Sequence, residues 1–129
     1  MMKLLLDTHA FLWWVSDDPK LSLTAREMIT DSDNTVYLSV VSAWEIIIKV
    51  GTSKLSLPEN PEIYIPSRLI SNQFESLSVL MSHVLRINSL AHFHKDPFDR
   101  LLIAQSLVED IPIITVDSLI VQYPVKTIW

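Results

Sequence analysis

Short apolar and β-branched runs, each stopped by a Ser, Thr or Asp, alternate along this chain with stretches of helical periodicity. The run over Lys3 to Leu6 stops at Asp7 and Thr8, as a buried strand turning into a helix does, and that helix is expected over His9 to Val15. Asp17, Asp18 and Pro19 break the pattern. Thr24 with Glu27 has the spacing of a capping box, so the next helix should run to about Thr30. Thr35 to Ser39 (TVYLS) reads as a strand and Ser42 to Val50 as a helix ended by Gly51. Thr52 to Pro66, with three prolines, reads as connection, followed by a short helix over Ser67 to Asn72 and a strand over Phe74 to Val79. Ser82 to Leu90 is expected to be a helix. Pro97 to Glu109 is a second, with Asp96 as cap and Pro97 at the first helical position. Ile111 to Val116 (IPIITV) is the clearest strand, and a short helix over Ser118 to Val121 and a strand near Val125 to Ile128 follow.

Strands that alternate with helices imply crossovers and a parallel sheet covered on both faces, so the expected fold is a three-layer α/β/α sandwich with about five strands. The 129 residues suffice for one such domain, spanning 1–129. In open parallel sheets the ligand crevice lies beyond the carboxyl ends of the strands, near the switch in strand order. Any chemistry is expected there.

Several function classes drop out on composition. Without cysteine there is no disulfide, no thiolate nucleophile and no Cys-built zinc site, and a reducing cytoplasm is the natural setting. One glycine, Gly51, cannot build a Gly-rich phosphate loop, which removes nucleotide-cofactor enzymes and P-loop NTPases. The opening apolar stretch is interrupted at Asp7, too early for a signal peptide or membrane span. A net charge of −5 argues against a broad basic face for nucleic acid. Such a contact must be local or made through metal ions.

Four carboxylates fall at the expected carboxyl edge: Asp7 after the first strand, Glu45 in the first turn of its helix, Asp99 in the first turn of the helix begun by Pro97, and Asp117 after IPIITV. Each has an ordinary explanation alone. Asp7 and Asp117 can cap helices, Glu45 can close a capping box with Ser42, and Asp99 suits a helix N-terminus. Gathered in one crevice, however, they repel unless a cation neutralises them. Oxygen donors point to Mg²⁺ or Mn²⁺, one or two ions, and such a site hydrolyses phosphodiesters. Ser42, Glu45 and Lys49 share one helical stripe, and Thr8 and Thr115 are placed to bond carboxylates. Lys49 is read either as a phosphate contact or as an i,i+4 partner of Glu45 contributing ~0.2–0.5 kcal/mol. Lys95 and Arg100 are the further candidates for substrate phosphate. The four histidines have no helical ligand spacing; capping or surface roles are expected, with His94 a lesser contributor near the site.

The segments KLLLDTHAFLWW, SVVSAWEIIIKVGTSKL, HKDPFDRLLIAQSL and IITVD, in that order, resemble PIN-domain proteins, in particular the VapC-like toxins of bacterial toxin–antitoxin pairs. The resemblance implies acidic positions at Asp7, Glu45, Asp99 and Asp117, with Asp96 as an accessory acid. It further implies Mg²⁺- or Mn²⁺-dependent cleavage of RNA, a homodimer and a cognate antitoxin, with the FLWWV run contributing to a groove or dimer surface. The same carboxylates would serve a phosphatase or DNA nuclease, and the fold without activity would be an interaction module.

Overall fold

In a computed structural model describing residues 1–129, five parallel strands form one sheet in the order β3-β2-β1-β4-β5. The strands are β1 (Lys3–Leu6), β2 (Thr35–Ser39), β3 (Glu75–Leu77), β4 (Ile113–Ile114) and β5 (Thr127–Ile128), and the helices are α1 (Thr8–Val15), α2 (Leu23–Thr30), α3 (Val40–Gly51), α4 (Pro61–Asn72), α5 (Met81–Arg86) and α6 (Pro97–Glu109). Single 3₁₀ turns cover Ile87–Ser89 and Ile120–Gln122. This is the expected three-layer α/β/α sandwich. The chain lays down β1, β2 and β3 in one direction and then returns to place β4 on the other side of β1, so the order reverses between β1 and β4.

Alternation along β1 builds both cores. Leu4 and Leu6 pack with Phe11, Ala25, Ile29, Ile46 and Ile65 on the face covered by α1, α2, α4 and much of α3. Leu5 points the other way, into Leu102, Ile103, Ala104 and Ile113 under α6. All three leucines are fully buried, as a central parallel strand requires, each contributing ~1.5–3 kcal/mol.

Several boundaries differ from those expected, each for a local reason. In α2 the cap is Ser22, which accepts from Ala25 N–H, so the Thr24–Glu27 box does not form. In α3 the Ser39 hydroxyl accepts from Val41 N–H directly after β2, so the helix starts at Val40. Glu45 therefore sits in its second turn, and the Ser42 capping box is absent. Gly51 closes α3 as its last helical residue, while Ser53 takes the left-handed turn with φ 59.

Much of what reads as connection is α4. Asn60 accepts from Glu62 N–H and Pro61 takes the first position, while the interior Pro66 is exposed, so the backbone bond it removes faces water. β4 pairs through Ile113–Ile114 alone because Pro112 has no N–H and Val116 turns outward, half-exposed, ahead of Asp117. β3, α5, β5 and the last turn are likewise shorter than expected.

Candidate active site

The β1–β4 switch brings the carboxyl ends of both central strands together, and there Asp7 and Asp117 meet. Asp7 is buried at the N-terminus of α1, where its Oδ1 accepts the Ala10 N–H at 2.7 Å. Its Oδ2 accepts the Thr115 hydroxyl at 2.6 Å, across 108 residues of sequence. Asp117 repeats this division of labour. Its Oδ1 accepts from Leu119 and Ile120 N–H at the following 3₁₀ turn, while Oδ2 lies 3.4 Å from His94 Nε2. Capping and clustering are thus compatible, since one oxygen anchors the side chain to a backbone turn and the other is left for the crevice.

The remaining acids come from α3 and α6. Glu45 is buried; Thr8 Oγ1 donates to its Oε1 at 2.7 Å, and Lys49 Nζ lies 2.6 Å from its Oε2. Asp96 caps α6, accepting from Phe98 and Asp99 N–H through Oδ1. One turn in, Asp99 Oδ2 lies 2.9 Å from His94 Nε2. Glu45, Asp96 and Asp117 all act electrostatically on Asp99, and Asp117 on Asp7.

The electrostatic consequence is measurable. Burial, then the negative charges of Asp96 and Glu45, push the Asp99 carboxyl up to about 7, with His94 opposing and Asp117 adding the least. Burial also raises Asp7, although the Thr115 and Ala10 hydrogen bonds favour its ionised form. Lys49, half-buried on Glu45, is the lysine closest to the acids.

Of the supporting residues, Thr8 and Thr115 both hold carboxylates, and Thr115 Oγ1 also accepts the Asp117 N–H at 3.0 Å. Ser42 is buried but makes no hydrogen bond to the acids. Lys95 is exposed beside Asp96. Arg100 is occupied elsewhere than on substrate: its guanidinium donates to the carbonyls of Ala91, His94 and Ile87 and to the Tyr123 hydroxyl, bracing the segment that carries His94. Trp14 packs on Phe74 and donates to Asn72, while Trp13 and His9 line a cavity of about 500 Å³ that reaches Lys49, Lys54 and Tyr64.

Two of the histidines take defined places. His83 is fully buried, with Nδ1 accepting Leu80 N–H at the start of α5 and Nε2 bonded to Glu109, so it caps a helix without being on the surface. His94, placed as a lesser contributor by sequence, sits between two of the four acids. The available signal was its position two residues before the α6 cap, where its Nδ1 can take the Asp96 N–H.

The chain thus carries carboxylates at the switch point of a five-stranded parallel α/β/α sheet, and comparison of the sequence agrees with that fold. The family model of the PIN domain matches residues 4–126, and the chain belongs to that family. Ribonuclease VapC16 of Mycobacterium tuberculosis (strain ATCC 25618 / H37Rv) is 36% identical over 69 residues, 50% of this chain and 49% of that protein. The match thus spans about half the length of this curated relative. Among solved structures, VapBC2 from Rickettsia felis, bound to a DNA fragment from its promoter, superposes with a TM-score of 0.74 at 16% identity, covering 99% of each chain. DNA-bound VapBC from Salmonella typhimurium gives 0.71 at 16% identity, covering 99% of this chain and 98% of that one. These two share the fold.

Proposed function

We propose that this chain is a divalent-cation-dependent endoribonuclease and the toxin of a toxin–antitoxin pair. The observation that carries the reading is the gathering of carboxylates at one crevice, where burial and then the neighbouring acids raise the Asp99 carboxyl to about 7. The kinship with a ribonuclease supports RNA as substrate.

The donor set fits a hard cation. Asp7, Glu45, Asp99 and Asp117 would hold Mg²⁺ or Mn²⁺, one ion or two, with Asp96 contributing charge from the edge. Such an ion supplies an activated water and neutralises charge on a phosphodiester during in-line displacement. The protein's own contribution is preorganisation. Thr115 and the α1 backbone keep Asp7 fixed, Thr8 and Lys49 fix both oxygens of Glu45, and Asp117 is tied through its other oxygen. Lys49, one-third exposed at the cavity rim, and Lys95 are the cations available to a substrate phosphate.

The partners follow from the surface. The cavity of Trp13, His9, Tyr64, Leu57 and Lys54 opens beside Lys49 and would take a segment of a cognate antitoxin, so that the inhibitor covers the site it silences. The similar solved structures are themselves VapBC complexes. A second copy of the chain would cover the apolar cleft formed by Val40, Trp44, Val79 and Leu101, where Trp44 is 56% exposed. No helix is long and apolar enough to cross a membrane, and an RNA substrate places the protein in the cytoplasm.

The test is direct. Purified protein is incubated with tRNA, rRNA, single-stranded DNA and p-nitrophenyl phosphate, in Mn²⁺ or in EDTA. Internal cleavage of RNA in Mn²⁺ alone is expected. Metal-dependent hydrolysis confined to the phosphate ester would end the nuclease reading, and equal cleavage in EDTA would end the metal reading.

A further inference from the structure

His94 Nε2, Asp99 Oδ2 and Asp117 Oδ2 lie within 4.8 Å of one another, a spacing that admits a metal ligand trio. The opposite ring nitrogen decides otherwise. His94 Nδ1 lies 3.2 Å from the backbone nitrogen of Asp96, which can only donate, so Nδ1 keeps its lone pair and the ring proton sits on Nε2. That N–H is hydrogen-bonded to Asp117 Oδ2 at 3.4 Å, and the same nitrogen lies 2.9 Å from Asp99 Oδ2. To bind a cation through Nε2 the ring would have to carry its proton on Nδ1, setting two donors face to face.

Neither partner is free to move aside. The Asp96 backbone is fixed because its side chain caps α6. The His94 backbone is fixed on both sides, its N–H donating to the Tyr123 hydroxyl and its carbonyl accepting from Arg100. The side chain itself is buried.

We infer that His94 is a positioning residue: its Nε2–H holds the Asp99 and Asp117 carboxylates facing one crevice, and it is not itself a ligand. The inference rests on the acidic cluster being the cation site. It explains why a histidine stands among hard oxygen donors, since the N–H aligns two carboxylates that would otherwise turn apart.

The test uses the whole protein and two variants. Nitrogen-15 spectroscopy of the His94 ring should show the proton on Nε2 both in EDTA and with saturating Mg²⁺. Calorimetric titration with Mn²⁺ should find His94→Ala weaker by about tenfold, the cost of removing a residue that orients ligands. His94→Gln, whose amide N–H can reach the same oxygens, should recover most of the affinity. A proton moved to Nδ1 on Mg²⁺ loading, or Gln no better than Ala, would overturn the positioning role. If His94→Ala does not fold, the spectrum of the unmodified protein still decides. Protein that keeps Nε2 protonated yet takes up neither ion supports the positioning of the carboxylates, and it overturns the cation reading of the cluster instead.

Discussion

Asp99→Asn removes the carboxylate charge from the site, because the amide keeps the shape and an oxygen facing His94. In the native cation-free protein this carboxyl is pushed from 3.8 up to about 7, so between those values the folded state retains a proton that the unfolded chain has lost. Stability must then fall as pH rises through that window, and the full cost is present above it. From pH 5 to pH 7 the wild-type chain should lose at most about 3 kcal/mol relative to the variant, at ~1.4 kcal/mol for each tenfold change in proton affinity. Asp99 is largely buried, at 18% side-chain exposure, so solvent screening takes little from this figure. Urea unfolding in EDTA, at pH 5 and pH 8, measures the difference. The variant should be the more stable protein, by a margin that widens with pH. A margin that is equal at both pH values, or a less stable variant at pH 8, would refute the claim that burial and the neighbouring acids together disfavour the ionised Asp99 carboxyl.

The same site yields three further expectations. Saturating Mn²⁺ should raise the melting temperature of the wild-type protein, by ~2.7 kcal/mol of added stability at a hundredfold excess over its dissociation constant, and Asp7→Asn with Asp99→Asn should abolish the rise in a thermal-shift assay. Thr115→Val keeps the volume but removes the donor to Asp7 and the acceptor for Asp117 N–H; chemical denaturation should show a loss of about 1–3 kcal/mol, and calorimetry a weaker Mn²⁺ affinity. Arg100→Gln should speed hydrogen exchange across residues 87–94, which its guanidinium braces through three carbonyls, and unchanged exchange there would return Arg100 to the list of phosphate contacts.

How much of this was legible depended on whether the signal was local. Asp96–Pro97 announces α6 because cap and first-turn proline act within three residues, and TVYLS announces β2 because its β-branched and aromatic residues follow the turn formers Asp31 to Asn34. α4 was hidden by Pro61 and Pro66, which read as breakers although one occupies a position needing no N–H and the other faces water. That Asp7 and Asp117 come to one edge was readable from topology alone, since neighbouring parallel strands deliver their ends there. Which oxygen of each acid faces the crevice was not readable, because that depends on the turn each side chain caps. The partners of Arg100 were not readable for a related reason: the carbonyls that hold it belong to a loop whose path no sequence pattern specifies.

β4, although nearly seven-eighths of the chain precedes it, enters beside β1 at the middle of the sheet. Folding therefore brings the first and last of the acids together only when the most distant pairing closes, after most local structure has formed. The repulsion among them falls on the end of the folding reaction. A cation that relieves it should accordingly slow the opening of the native protein while leaving the rate of its formation nearly unchanged.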